Sequence, residues 1–295
     1  MLVAKLKAEA FKQSAFGVKL RHSWQHAVVR YLAVKSSLRS IEDVRRICRK
    51  LDTYFGSLML DEITGDIIWG VVQGELKKGN KPATVNRYLA LIRCLLRMAR
   101  DEWQWLDAFP KIRLLQGEVE RDRWLTREEA SRLISVCPNH LAAIVRFALA
   151  TGCRAREITG LEWRRVDLER QTAWLDQTKN GTPRGVPLNR DAVAVLQAQI
   201  GKHPRYCFTY KGEPIRYELT NSAWQSACRK AGLTNLRFHD LRHTFASRLR
   251  ALGVSVEDRA DLLGHYRGSI TTHYSHAELA RLQACVDLLE VSRDC

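Results

Sequence analysis

The sequence predicts a mainly α-helical chain in two domains, with a small antiparallel β-sheet confined to the second. Three observations carry that prediction. Apolar residues recur at steps of three and four along most of the 295 residues. The period changes to two at Gln171–Thr178 and Arg184–Leu188, which flank Asn180-Gly181, a strong hairpin signal. A polar, aperiodic and highly charged stretch from Phe109-Pro110 to Arg123 interrupts the helical pattern. The expected division is a helical domain over 1–110, a linker over 111–123 and a second domain over 124–295.

Residues 1–35 hold two helical patterns, the second built on Trp24, Ala27, Val28, Tyr31 and Leu32 with basic residues opposite. Ser40 reads as an N-cap, with Asp43 three residues on, for a helix over Ile41–Phe55. The pattern returns from Asp61 to Leu76 through Ile63, Ile67, Ile68 and Val71, and a basic turn follows at Lys77–Pro82. Thr84–Trp103 is the clearest helix of the first domain, with Val85, Leu89, Ile92, Leu96 and Ala99 on one stripe. Arg87, Arg93, Arg97 and Arg100 occupy the rest of its surface, either as a solvated face or as contacts to a DNA backbone.

In the second domain Thr126 and Glu129 have the spacing of a capping box. A strongly apolar helix over Leu141–Ala150 is stopped by Thr151-Gly152, and Arg154–Ile158 resumes a helical turn that ends near Trp163. The two strands come next, then helices at Asp191–Ile200 and Leu219–Ala231. His239, Arg242 and His243 stand at i, i+3 and i+4 and are expected to share a helical face, with Leu241, Phe245, Leu249 and Leu252 on the apolar one and Gly253 at its end. Ser255 and Asp258 cap a short helix that stops at Gly264. A last helix, about 277–290, carries the narrow stripe Leu279, Leu282, Val286 and Leu289. The plain expectation is that it folds back on its own domain.

The formal net charge is +16 and the isoelectric point about 9.8. Residues 1–120 hold 21 basic against 13 acidic side chains and the remainder 27 against 19, a net +8 in each part. A basic tail is therefore excluded as the source, and a polyanion, nucleic acid above all, is the expected partner. Eight cysteines lie scattered without a Cys-x-x-Cys pair, as buried thiols of a reducing cytosol do. No apolar run approaches the roughly 18 residues of a membrane span. The expected location is cytoplasmic, with the bacterial nucleoid, and no membrane contact.

The residues suited to chemistry appear in a fixed order: Arg154 in Thr-Gly-Cys-Arg-Ala-Arg-Glu, Lys179 beside the hairpin turn, His239-x-x-Arg242, His265 in Leu-Gly-His, and Tyr274 in Thr-x-x-Tyr. Arginine forks and histidines hold phosphate oxygens, and a tyrosine hydroxyl can attack phosphorus. His239-x-x-x-His243 with His265 also has the composition of a zinc set, but no His-Glu-x-x-His follows and no cysteine lies close in sequence.

The ordered set resembles the tyrosine recombinase (phage integrase) family, in detail over about residues 124–290 and in helical character only before that. The resemblance implies a two-domain architecture, a helical core-binding domain followed by an α+β catalytic domain. It implies a site-specific DNA recombinase that integrates or excises a prophage or other mobile element, with a chromosome-dimer resolvase or an integron-type integrase as alternatives. Tyr274 would attack the scissile phosphate to leave a 3′-phosphotyrosine, Arg154 and Arg242 would neutralise the nonbridging oxygens, and Lys179 would protonate the leaving 5′-oxygen. His239 would accept the tyrosine proton and His265 would hydrogen-bond a nonbridging oxygen. Glu157 supports the pocket in this scheme, and Arg156 and Arg184 are expected to touch DNA phosphates without taking part in the chemistry. Neither ATP nor a divalent metal is needed and no cofactor is implied. The implied partners are double-stranded DNA carrying specific sites, three further copies in a homotetramer on that DNA, and accessory DNA-bending proteins; the resemblance also offers the last helix a place on a neighbouring protomer instead of its own domain. Two other classes stay open: a relaxing enzyme like a type IB topoisomerase, and a catalytically silent DNA-binding protein.

Overall fold

Several helices of this chain start at side chains that answer the first free backbone N–H groups. Ser23 accepts from His26 N at 3.2 Å and opens α1 (Trp24–Val34), and Thr64 accepts from Ile67 N at 3.4 Å and opens α3 (Gly65–Lys77). The structure, a computed structural model, describes residues 20–117, 123–176, 183–215, 219, 221–264 and 276–291. Lys179, the Asn180-Gly181 turn, His265, Tyr274 and the first helical pattern within residues 1–19 lie outside the described residues. The chain divides into two compact units, Met1–Glu120 and Arg121–Cys295.

In the first unit α1, α2 (Ile41–Phe55), α3 and α4 (Pro82–Asp101) pack around Trp24, Phe55, Leu89, Ile92, Leu95 and Leu96, all at most 1% exposed. The stripe Val85, Leu89, Ile92, Leu96 and Ala99 is buried as its spacing predicts, and Pro82 sits in the first turn, where its missing N–H costs nothing. Helix α2 begins at Ile41 as expected, yet Ser40 makes no cap bond from its side chain. Its φ of −96° and ψ of 18° depart from the extended geometry that aims a capping oxygen at the helix. The pattern expected to start at Asp61 is split into a 3₁₀ turn, Leu60–Glu62, and α3. Part of the stretch expected as linker is docked on this unit. Ile112 is buried, and Asn86 clamps Leu115 by donating to its carbonyl at 3.0 Å and accepting from its N–H at 2.7 Å.

The second unit opens with α5 (Arg127–Val136), where Thr126 and Glu129 form the expected capping box. Its centre is α6 (Asn139–Thr151), buried along Leu141–Thr151 at every position except Ala143 and Arg146. Gly152 ends it in the left-handed region, φ +64°. After α7 (Ala155–Thr159) come β1 (Val166–Asp167), β2 (Thr172–Leu175) and β3 (Arg184–Pro187), an antiparallel sheet in the order β1-β2-β3 with Ala173 opposite Val186 and Leu175 opposite Arg184. Then follow α8 (Arg190–Gln197), a two-stranded ribbon of β4 (Thr209–Tyr210) and β5 (Glu213–Pro214), α9 (Ser222–Lys230), α10 (Asp240–Ala251), α11 (Val256–Leu263) and α12 (His276–Val291). At two residues each, β1, β4 and β5 are too short to show a period of two.

Helix α12 packs on its own unit, against α6, α8, α10, α11 and β3. Leu282 and Val286 of its stripe enter a cluster with Phe245, Leu249, Val254, Leu262 and Leu263. Gln283 Nε2 donates to Leu188 O at 3.0 Å, and Arg281 pairs with Asp258 of α11 at 2.5 Å. Among the described residues no helix is long and apolar enough to cross a membrane, and the described cysteines are all free thiols, most of them buried.

Candidate active site

The run His239–Thr244 assigns a separate task to each residue because it crosses the start of α10. Asp240, in the first turn, accepts from Arg237 N at 2.8 Å, where a carboxylate also meets the positive end of the helix. Leu241 is fully buried in the core. Thr244 Oγ1 is buried, donates to Asp240 O at 2.8 Å and accepts from Leu125 N at 2.9 Å, which ties α10 to the start of the unit. His239 and Arg242 then face one cavity of about 520 Å³, lined also by Cys153, Arg154, Arg156, Tyr206 and Phe238. His243, expected on the same helical face, meets His239 edge-on with ring centroids 5.2 Å apart, but it is exposed and absent from the cavity wall.

Arg242 is 5% exposed, and each arm of its fork gives one of the guanidinium's five N–H groups to a backbone carbonyl. Nη1 donates to Gly152 O at 2.9 Å and Nη2 to Leu263 O at the end of α11. Two helix C-termini, α6 and α11, thus present carbonyls to one guanidinium, a favourable alignment with their negative ends. Burial, and then the neighbouring Arg154 and Arg184, lower the Arg242 pKa to about 10, so it stays charged at neutral pH. Gly152 is required here: a Cβ would stand 2.4 Å from Phe245 Cδ1, inside the ring's contact distance.

Arg154 precedes the first residue of α7 and is held by Glu157. Its backbone N donates to Glu157 Oε2 and its Nη1 to Glu157 Oε1, both at 2.8 Å. Among the described residues the other donors of its fork make no bond, and its side chain is 18% exposed on the cavity. Glu157 itself is buried, and its Oε2 also accepts from Arg184 Nη2 at 2.8 Å. Burial alone would raise the Glu157 pKa, but Arg184 and Arg154 outweigh it and hold the carboxyl below its usual range. Three guanidiniums around one carboxylate leave a positive excess beside the cavity, suited to an anion. The His239 pKa is lowered by partial desolvation and then by His243, Arg242 and Arg154, which favours a neutral ring able to accept a proton.

The structure brings together Arg154, His239 and Arg242 of the expected residues, while Lys179, His265 and Tyr274 lie outside the described residues. In chain order Lys179 falls between β2 and β3, and His265 and Tyr274 fall between α11 and α12. Arg184 corrects the sequence reading. Expected to touch DNA phosphates, it is 2% exposed and faces inward to Glu157 and Leu262 O. The signal was present in the alternation, which puts Arg184 on the same strand face as the apolar Val186 and Leu188. Arg156 is exposed and lines the cavity. In the first unit Arg87, Arg97 and Arg100 are exposed and Arg93 is half-buried. At about 100° per residue Arg93, Arg97 and Arg100 fall in one sector of α4 and Arg87 lies well round from it. Arg100 is engaged locally, with Nε 2.6 Å from Asp101 and the guanidinium over Phe109. Among the described residues no group of three His, Cys, Asp or Glu side chains is arranged to hold a metal ion.

The sequence profile described as the phage integrase family matches residues 123–281. The chain is 34% identical to the integrase of Salmonella phage P22, over 92% of this chain and 81% of that protein. It is 33% identical to a shufflon-specific DNA recombinase of Escherichia coli, over 69% of this chain and 53% of that protein. Its fold is similar to that of a lambda integrase fragment solved as a dimer bound to a core site, with a TM-score of 0.70 and 19% identity over 85% of this chain and 97% of that one. A lambda integrase tetramer bound to a Holliday junction gives a TM-score of 0.69 and 18% identity over 93% of this chain and 88% of that one.

Proposed function

The chain belongs to the phage integrase family and is a tyrosine-type site-specific DNA recombinase, and on that premise we propose how its residues divide the reaction. The observation that carries the proposal is the convergence of Arg154, Arg242 and His239 on one cavity, with the two arginines anchored from behind by Glu157, Gly152 O and Leu263 O.

The scissile phosphodiester enters that cavity with its nonbridging oxygens toward Arg154 and Arg242. The Tyr274 hydroxyl attacks phosphorus; the new bond joins the phenolic oxygen to phosphorus, and the bond to the 5′-oxygen breaks. The phenolic proton passes to neutral His239, and Lys179 supplies a proton to the departing 5′-oxygen. His265 hydrogen-bonds a nonbridging oxygen. Negative charge on those oxygens peaks in the pentacoordinate state, where prearranged guanidiniums contribute most. The product is a 3′-phosphotyrosine with a free 5′-hydroxyl, and attack by another strand's 5′-hydroxyl reverses every step. The phosphodiester energy is kept in the covalent link, so the balance needs no nucleotide cofactor.

The first unit serves as the core-binding domain and the second as the catalytic domain. The Arg93, Arg97 and Arg100 sector of α4, together with Arg87 on another part of its surface, contacts the DNA backbone, a role supported by the charge of all four and by the exposure of Arg87, Arg97 and Arg100. Four copies act on two duplex sites, a reading supported by the lambda integrase tetramer bound to a Holliday junction, and the reaction integrates or excises a mobile element. Accessory DNA-bending proteins act on assembly of the sites and not on the chemical step. The test uses nicked duplexes from the flanks of the protein's own gene, incubated with the protein in EDTA. A covalent adduct that disappears in Tyr274→Phe is expected. An adduct that survives Tyr274→Phe assigns the nucleophile elsewhere, and plasmid relaxation by a monomer on DNA without a recombination site sinks the recombinase reading in favour of a relaxing enzyme.

A further inference from the structure

Arg184 is a buried cation that the proposed chemistry does not use. It lies on β3, 2% exposed, too deep to reach a DNA phosphate. Its two terminal nitrogens point to different elements. Nη2 donates to Glu157 Oε2 on α7 at 2.8 Å, and Nη1 donates to Leu262 O in the last turn of α11 at 2.5 Å. Glu157 in turn holds the backbone and the fork of Arg154. Next to Leu262, the carbonyl of Leu263 receives Arg242. Gly264, the following residue, has φ +62°, and a Cβ there would stand 2.7 Å from Arg184 Cδ and Nε. The arginine stem is therefore packed against the turn from which the chain leaves toward His265.

We propose that Arg184 is a positioning residue for the cleavage step: through Glu157 it sets the orientation of Arg154, and through Leu262 O it fixes the end of α11 that anchors Arg242. The inference rests on reading the cavity as the scissile-phosphate site. Its physical basis is the geometry of the fork. A core position is filled as well or better by an apolar side chain than by a buried cation. What an apolar residue lacks, and a lysine supplies at one point only, is two donors at a fixed angle. Those two donors join β3, α7 and α11, the three elements that flank or carry the expected site residues. With Arg184 gone, Glu157 keeps Arg154 but loses the partner that holds its own carboxylate in place, and Arg154 can swing off the phosphate.

The experiment compares Arg184→Met, Arg184→Lys and Arg154→Ala with the wild type on two nicked duplexes. One carries an ordinary scissile phosphate, the other a methylphosphonate, in which a methyl group replaces a charged nonbridging oxygen and removes most of the need for guanidinium neutralisation. Single-turnover cleavage and DNA affinity are measured separately. On phosphate, Arg184→Met is expected to cleave about 10²-fold more slowly, the usual cost of about an ångström of misplacement, with DNA affinity kept within about twofold. On methylphosphonate, Arg184→Met and Arg154→Ala should both approach the wild-type rate. An Arg154→Ala/Arg184→Met double variant should be slower on phosphate than Arg154→Ala by less than the full cost of Arg184→Met, since part of the effect of Arg184 acts through Arg154 and the rest through the end of α11.

Equal slowing on both substrates would overturn the proposal, because a general fold defect does not depend on the charge of the phosphate. So would a wild-type rate for Arg184→Met on phosphate. If Arg184→Met does not fold, Arg184→Lys decides by the same comparison, and failure of both to fold assigns Arg184 to the fold. Arg154→Ala cleaving phosphate at the wild-type rate would instead overturn the reading of the cavity itself, whatever Arg184 does.

Discussion

Gly152→Ala is expected to damage stability and cleavage together, through a single methyl group. Gly152 follows α6 with φ +64°, and its added Cβ would lie 2.4, 2.9 and 3.0 Å from Cδ1, Cε1 and Cγ of Phe245. Phe245 is fully buried on α10, one turn beyond Arg242, so the ring cannot yield without moving the helix. The left-handed backbone costs an alanine about 1–2 kcal/mol. Overpacking of a filled core adds about 1–3 kcal/mol, for a total of about 2–5 kcal/mol. The same displacement shifts the Gly152 carbonyl that receives Arg242 Nη1. Gly253→Ala is the internal control. It has φ +80° with nothing within 4 Å of the added Cβ, so it pays backbone strain alone. Urea denaturation should place Gly152→Ala well below Gly253→Ala in stability, and cleavage of the nicked duplex should fall only in the former. Adding Phe245→Leu should restore part of both losses. Equal stability of the two glycine variants, or normal cleavage by Gly152→Ala, would refute the contact as the cause.

Glu157→Gln leaves Arg184 buried without a counter-charge, and breaking such a pair costs about 3–5 kcal/mol. Because the folded carboxyl titrates below its ordinary 4.5, the stabilisation is complete above that value and is lost as pH falls through the lower folded pKa. Wild type and Glu157→Gln should therefore converge in acid unfolding curves, and a constant gap would count against the ion pairs. Cleavage should lose rate on the acid side with a midpoint below the ordinary histidine value of 6.5, since His239 must be neutral to accept the proton. An unchanged acid limb in His239→Gln would remove His239 from that role. Thr244→Val deprives the buried Leu125 N–H of its acceptor at 2.9 Å and should cost about 1–3 kcal/mol in chemical denaturation. A neutral result would show that another acceptor replaces it.

The helices were legible because their causes are local. The Thr126–Glu129 capping box, the α4 stripe and the Gly152 and Gly264 stops are read from residues within a turn or two of one another. Ser40 was misread for the complementary reason: the residue type favours a cap, but the backbone leading into α2 does not adopt capping geometry. The short strands β1, β4 and β5 left no trace in periodicity, since a pair of residues has no period.

The candidate site divides in the same way. By itself the sequence determined which residue types are present, their order and the family they match, because residue type and spacing are carried by the chain without folding. Only the tertiary structure decided which way they face. It turned Arg242 inward and His243 outward from adjacent positions, and it drew Arg184 from an expected DNA surface into the support of Arg154. The physical reason is distance along the chain. Glu157 and Arg184 are 27 residues apart, and Arg242 and Gly152 are 90 apart. No local propensity encodes a hydrogen bond across such a separation, which exists only after α6, α7, β3, α10 and α11 have packed.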